Sequence, residues 1–309
     1  MQITYIIRNI LLIILLHSIY SYALIYTLPK NGNKLIGKNF KITIPKNNIH
    51  PLEYFAEKYQ LGLSNLLEIN PNTDVYLPQA ESEIIIPHQL ILPNTPHEGI
   101  IINSAEMRLY FYPKNSNKII VFPIGIGEIG NNTPFNWVTS VQRKKHNPVW
   151  IPTKKIRDEY LIQGTILPKI IASGPHNPMG LYALYIGKLY AIHGTNANFG
   201  IGLRISHGCI RLRADDIKYL FQNVPLGTRV QFINEPVKIT QEKNGNFYIE
   251  VHQPLSLTKE EFYSNQPNKI QLSNATHNML KNKNINPNLV KIALEQRLGI
   301  PVNITKKPS

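Results

Sequence analysis

The chain is 309 residues long and sets 33 Lys and Arg against 19 Asp and Glu, a formal net charge of +14. Its basic residues are scattered rather than clustered, which argues against nucleic acid as a partner and leaves an anionic envelope surface or polyanion as the matching environment. A single cysteine in the whole sequence excludes a disulfide framework within the chain.

Arg8, an apolar run over residues 10–16 and the small-residue stretch Ser21-Tyr22-Ala23 predict a secretory signal peptide over residues 1–23. The run is well short of the roughly 20 apolar residues a spanning helix needs, so no membrane span is expected after cleavage. Residues 39–92 open with F-K-I-T-I and close with E-I-I-I-P, both strand-like. Between them Leu52, Phe55, Ala56 and Tyr59 recur at helical spacing behind Pro51, which suits a first helical position. A break at Gly62 and a second short helix over residues 64–69 complete a βααβ unit. In Y-F-A-E-K-Y-Q-L-G-L-S-N-L-L-E-I-N-P, residues 54–71, this unit resembles the LysM domain. The resemblance implies contact with the N-acetylglucosamine backbone of peptidoglycan or chitin. The family's Gly-Asp-Thr-Leu entrance to the first helix is replaced by Asn48-Ile49-His50-Pro51-Leu52.

Residues 99–235 read as a β-rich domain. R-L-Y-F-Y-P at 108–113, a turn at 114–117 and K-I-I-V-F-P-I-G-I-G at 118–127 predict a strand, a turn and a returning strand. Further strands are expected at 181–186, 189–193 and 228–233. A helix is expected over 214–222, with Asp215 and Asp216 in the first turn where the helix dipole favours negative charge. Residues 236–309 turn polar after Pro254 and are expected to form a small α+β accessory domain. Its last helix is opened by Asn286-Pro287, shows Val290, Ala293, Leu294 and Leu298 on one face, and stops at Gly299 and Pro301.

The lone thiol lies in R-I-S-H-G-C-I-R-L, residues 204–212. If residues 206–212 are extended, His207, Cys209 and Arg211 share one face while Ile210 and Leu212 face the core. A free cysteine is only a few per cent thiolate at neutral pH, and a neighbouring histidine that takes its proton makes it a nucleophile. Gly208 lets backbone and substrate approach closely, and the backbone N–H groups of Gly208 and Cys209 are candidate oxyanion donors. Upstream, I-H-G-T-N-A-N-F-G-I-G at 192–202 places His193 at the end of a strand, before a glycine-rich loop that can fold back. Strand spacing alone nominates His207 as the base. His193, His207 and Cys209 could also supply three zinc ligands, but Arg211 opposes a cation there and no fourth ligand stands nearby, so neither metal nor cofactor is expected.

H-G-T, followed after a glycine-bearing loop by S-H-G-C-I-R-L, together with G-P-H-N-P-M-G-L-Y-A-L at 174–184, resembles the YkuD-type L,D-transpeptidase family. The chain resembles the branch that joins Braun's lipoprotein to peptidoglycan. The resemblance implies a mainly β catalytic sandwich, Cys209 as nucleophile and His193 as general base oriented by the Gly194 carbonyl. His207, Ser206, Gly208 and Arg211 are then supporting or substrate-binding residues. The implied enzyme is a periplasmic transferase of cell-wall biogenesis. It is acylated by a peptidoglycan tetrapeptide stem with release of D-Ala, then passes the acyl group to the C-terminal lysine of Braun's lipoprotein. A second diaminopimelate (3-3 crosslinking) or water (L,D-carboxypeptidase action) are alternative acceptors, and a non-catalytic glycan-binding wall protein is the alternative of another class.

Overall fold

The structure is a computed structural model that describes residues 23–264 and 266–307. The predicted signal peptide falls almost wholly outside the described residues. Among the described residues no helix is long and apolar enough to cross a membrane.

The first part of the chain holds β1 (Leu24–Thr27), β2 (Leu35–Ile36), β3 (Phe40–Thr43), α1 (Leu52–Lys58), α2 (Leu63–Ile69), β4 (Glu83–Ile86) and β5 (Leu90–Ile91). β3 and β4 pair antiparallel, and the two helices close over them on Leu52, Phe55, Leu66, Ile84 and Ile86. The N-terminal β1, with no counterpart in the sequence reading, leaves this unit to become an edge strand of the central sheet.

The central part contains β6 (Gly99–Asn103), β7 (Arg108–Tyr112), β8 (Lys118–Pro123), β9 (Ile126–Gly127), β10 (Trp137–Ser140), β11 (Arg143–His146), α3 (Lys154–Ile162), β12 (Tyr182–Gly187), β13 (Tyr190–His193), β14 (Arg204–Ser206), β15 (Ile210–Arg211), α4 (Ala214–Asn223) and β16 (Arg229–Ile233). A six-stranded sheet in the order β1-β8-β7-β6-β16-β10 packs on a four-stranded sheet, β11-β12-β13-β15. Alternate residues of the larger sheet, Ile100, Ile102, Leu109, Phe111, Ile120 and Phe122, meet Leu184, Ile192 and Ile210 of the smaller one, with Ile217 and Leu220 of α4 closing the core. The opposite face of the large sheet is also covered, by Ile36, Leu90 and Leu92 against Ile101, Tyr110, Ile119 and Val121. This two-sided burial explains why residues 108–112 are apolar or aromatic at nearly every position rather than alternating.

The expected returning strand at 118–127 breaks after Pro123. Its last two residues form β9, which pairs in parallel with β14 instead of continuing along β7. The last part of the chain holds β17 (Val237–Gln241), β18 (Phe247–Val251), α5 (Lys259–Tyr263), α6 (Asn274–Leu280), α7 (Pro287–Gln296) and β19 (Pro301–Asn303). The three strands form an antiparallel sheet backed by Val290 and Ala293 of α7. α7 begins where Asn286 Oδ1 accepts from the Asn288 and Leu289 N–H groups, and Arg297 ends it in the left-handed conformation.

Candidate active site

β13 is the strand on which the site is built. It pairs antiparallel with β12, setting Ala183 opposite His193, and parallel with β15, setting His193 beside Arg211. Residues alternate between the faces of a strand. Leu184, Ile192 and Ile210 therefore enter the core, and His193, Arg211, Ala183 and Ala191 lie on the other face. Cys209, two residues before Arg211, packs there against Met179, Ala183 and Ala191, with Trp150 and Tyr185 alongside. The two alanines give the thiol a low floor.

His193 is 6 % exposed, and its Nδ1 lies 2.6 Å from the Gly194 carbonyl oxygen. A carbonyl can only accept, so Nδ1 carries the hydrogen and Nε2 keeps its lone pair. Burial above all, then the Arg211 cation, pushes the imidazole pKa down to about 4, although the Gly194 and Met179 carbonyls favour the proton. The ring is neutral at neutral pH. Burial pushes the Cys209 thiol up, an effect partly offset by the Ala191 N–H and by Arg211. The resting pair is consequently thiol and imidazole rather than thiolate and imidazolium. Such a pair moves its proton as the sulfur attacks.

The segment carrying the thiol is not one strand. The expected extension over residues 206–212 is interrupted between β14 and β15, because Gly208 has φ +103° and the two short strands join different sheets. The Ser206 hydroxyl braces this kink, donating to the Cys209 carbonyl at 2.6 Å and accepting from the Gly208 N–H at 3.1 Å. Thr133 Oγ1 braces it from the other side, donating to the Gly208 carbonyl at 3.0 Å and accepting from the Gly127 N–H at 2.8 Å. Of the two amides expected to serve an oxyanion, that of Gly208 is therefore already engaged. The Cys209 N–H has no acceptor among the described residues.

The same kink breaks the extended alternation between His207 and Cys209 from which a shared face was expected. His207 Nδ1 lies 3.3 Å from Glu128 Oε1 and 3.5 Å from Glu159 Oε2 on α3, and 3.3 Å from Asn131 Nδ2. Its company is two carboxylates, an amide and the Tyr160 ring, whereas the thiol packs on apolar side chains beside the Arg211 cation. Among the described residues the histidine and carboxylate groupings compact enough for a metal are Glu128-Glu159-His207 and Glu106-Glu250-His252; His193, His207 and Cys209 do not form one. The second grouping is already filled by Lys238 and Arg108, each within 3.1 Å of both of its carboxylates. Sequence reading missed Thr133, Glu128 and Glu159, which carry no motif and reach the site only through the fold.

A thiol on the residue before β15 and a neutral imidazole on the adjoining β13, over an apolar floor beside a cation, make up the machinery of a cysteine-dependent acyl-transfer enzyme. Residues 97–239 match the family model described as the L,D-transpeptidase catalytic domain, and residues 236–304 match the L,D-transpeptidase C-terminal domain. The chain is 56 % identical over 282 residues to "Probable L,D-transpeptidase YbiS" of Escherichia coli K12, covering 91 % of this chain and 92 % of that one. It is 53 % identical over 292 residues to "Probable L,D-transpeptidase ErfK/SrfK" of Salmonella typhimurium, covering 94 % of both chains. A third relative, "Probable L,D-transpeptidase YcfS" of E. coli K12, is 43 % identical over 285 residues, 91 % of this chain and 88 % of its own. The chain belongs to the YkuD-type L,D-transpeptidase family and is a peptidoglycan transpeptidase.

Proposed function

We propose that Cys209 is the nucleophile and His193 the general base of a two-step acyl transfer carried out in the periplasm. The thiol attacks the carbonyl at the L-centre of meso-diaminopimelate in a tetrapeptide stem while Nε2 of His193 takes its proton. The tetrahedral adduct then collapses, the C–N bond to D-Ala breaks, and His193 returns the proton to the departing amine. A thioester remains on Cys209. An acceptor amine, deprotonated by His193, attacks that carbonyl and releases the thiol. The observation that carries this reading is the Nδ1–H bond to the Gly194 carbonyl, which leaves Nε2 unprotonated on the strand next to the cysteine. The open Cys209 N–H is the oxyanion donor. Arg211, whose buried Nε has no partner among the described residues, anchors a carboxylate of the stem.

The acceptor in this reading is the lysine amine at the C-terminus of Braun's lipoprotein, which the branch resemblance supports. The N-terminal βααβ unit is read as a LysM-like glycan holder. A cleft of about 550 Å³ supports this, lined by Asn70, Asn72, Thr73, Asp74, Gln79 and Ser82, with Tyr76, between the lining residues Asp74 and Leu77 in sequence, 87 % exposed. Titration with N-acetylglucosamine oligomers should show weaker binding in Tyr76→Ala; equal binding would remove glycan from this cleft.

Mass spectrometry of the protein incubated with a disaccharide tetrapeptide tests the chemistry. The expected result is loss of D-Ala with an adduct on Cys209, and continued turnover with Cys209 unmodified would sink the cysteine mechanism. Acylation should vanish in His193→Ala and persist in His207→Ala; the reverse pattern would reassign the base. Adding a lipoprotein C-terminal peptide, a second stem or neither separates lipoprotein attachment from 3-3 crosslinking and hydrolysis.

A further inference from the structure

The loop that follows His193, residues 194–203, is held from outside the catalytic domain. Glu53 and Glu57 stand one helical turn apart on α1, so both project from one face. Glu53 Oε1 accepts from the Gly200 N–H at 2.9 Å, and Glu57 Oε1 accepts from Asn198 Nδ2 at 2.6 Å. The Leu63 N–H, at the start of α2, donates to the Ile201 carbonyl at 3.0 Å. A Cβ on Gly62 would stand 2.9 Å from the Gly202 Cα, so the two backbones touch with no room for a side chain between them. Leu203 packs into the apolar core of the N-terminal unit. On the far side of the nucleophile, buried Arg213 donates from Nη2 to the Leu61 carbonyl at 2.7 Å. The N-terminal unit thus grips the catalytic segment both before and after Cys209.

These grips lead inward by short steps. The Gly200 carbonyl lies against Gly125, leaving only 2.9 Å for a side chain there, and Gly125 exchanges two backbone hydrogen bonds of 2.9 Å with Arg211. Gly202 and Leu203 bond to β9 and the segment leading into it, through Gly202 N–H to the Ile124 carbonyl and Ile126 N–H to the Leu203 carbonyl. At its other end the same loop sets the Gly194 carbonyl that fixes the His193 ring.

We propose that Glu53 and Glu57 are positioning residues for the transfer reaction: through loop 194–203 they set the geometry of His193 and Cys209, making the N-terminal unit a structural part of the active site rather than a tethered binding module. The inference rests on the cysteine mechanism proposed above. A carboxylate that accepts one hydrogen bond can be replaced by an amide that accepts the same bond, whereas alanine removes it. In the full-length double variant Glu53→Ala/Glu57→Ala, kcat should fall by about tenfold or more with KM within about threefold, because displacement of the reacting groups acts on the transition state. The Glu53→Gln/Glu57→Gln protein should recover most of that loss. Thermal unfolding and the second-order rate of Cys209 alkylation by iodoacetamide complete the set. The midpoint of the alanine protein should stay within a few degrees of wild type, while the pH profile of alkylation changes as the ring and thiol lose registration. The proposal is overturned by a kcat within about twofold of wild type, by glutamine variants as impaired as the alanine ones, or by a loss that follows the melting curve. Turnover by Cys209→Ala would overturn the cysteine mechanism and this inference with it, a result separate from all of those.

Discussion

Two buried histidines, His193 and His252, are driven in opposite directions by their surroundings. Among the described residues His193 has only backbone carbonyls to bond and a cation nearby, and burial with that cation takes its pKa down to about 4. His252 is wholly buried, and burial opposes its charge too. It nevertheless lies 2.8 Å from Glu68 Oε2 and 2.9 Å from Glu250 Oε1, and those carboxylates raise its pKa to about 9. The first ring is held neutral with a free lone pair, fit to take a proton. The second is held charged, fit to join pieces of structure. Burial alone therefore does not mark a histidine as catalytic; the sign of its neighbours decides.

The charged region is held by ion pairs. Glu106, Glu250 and Glu68 face Arg108, Lys238 and His252, and these six groups come from all three parts of the chain. With His252 protonated the charges of these six groups cancel. Burial opposes ionisation of Glu250, but Lys238 foremost, then His252 and Arg108, hold its carboxyl far below the usual range. Tyr110 adds a hydroxyl donated to Glu106.

The largest effect should appear at the neutral ring. His193→Gln keeps a donor for the Gly194 carbonyl and removes the base, so acylation should slow by about 10²- to 10⁴-fold, roughly 3–5 kcal/mol of barrier. Denaturant midpoints should move far less than activity. A variant that acylates at near the wild-type rate would erase the functional half of the contrast. The next effect belongs to the charged ring's partner. Glu250→Gln leaves Arg108, Lys238 and His252 with one carboxylate fewer in a site closed to water, and should cost about 3–4 kcal/mol of stability in urea unfolding. An unchanged midpoint would show that the cluster is tolerated rather than stabilising.

The two rings should also part company with pH. His252, raised in the fold from its ordinary 6.5, contributes stability that is fully present below that value and is lost as pH climbs through about 9. The shift corresponds to something on the order of 3 kcal/mol. His193, depressed in the fold, contributes stability present above 6.5 and lost as pH falls through about 4. Unfolding of wild type and His252→Gln across pH 5 to 10 should therefore converge at the alkaline end. A gap that stays constant would mean His252 is not charged in the native protein.

Legibility in the sequence followed the same division. Cys209 and His193, the proposed nucleophile and base, both occupy short motifs; spacing along the chain nominated His207 as the base, and only the family resemblance pointed to His193, at the end of a strand read from its apolar run. Helix α7 was readable through its Asn286-Pro287 opening. The kink at Gly208 was not, since alternation in S-H-G-C-I-R-L continues smoothly and only the backbone angle breaks it. Helix α3 has no buried residue and so left no apolar stripe to detect. The charged cluster was invisible for a stronger reason. Arg108 and Glu250 are 142 positions apart, and each reads alone as a solvated surface charge. Glu53 and Glu57 are hidden in the same way, as two acids on an amphipathic helix that happen to face another domain's loop.

The smallest effect tests how tightly the neutral half is set. Thr133 is buried and far in sequence from the thiol, yet its hydroxyl holds the Gly208 carbonyl and the Gly127 N–H together. Thr133→Val keeps the shape and deletes both bonds, which should lower stability by about 1–2 kcal/mol. Acylation should suffer more than that figure implies, because Gly208 precedes the nucleophile and a Cβ there would stand 2.9 Å from the Tyr190 ring, leaving the loop one narrow path. Comparing kcat with the unfolding midpoint in this one variant separates the two roles: a kcat loss no greater than the loss of folded protein would mean that the kink needs no brace beyond Ser206.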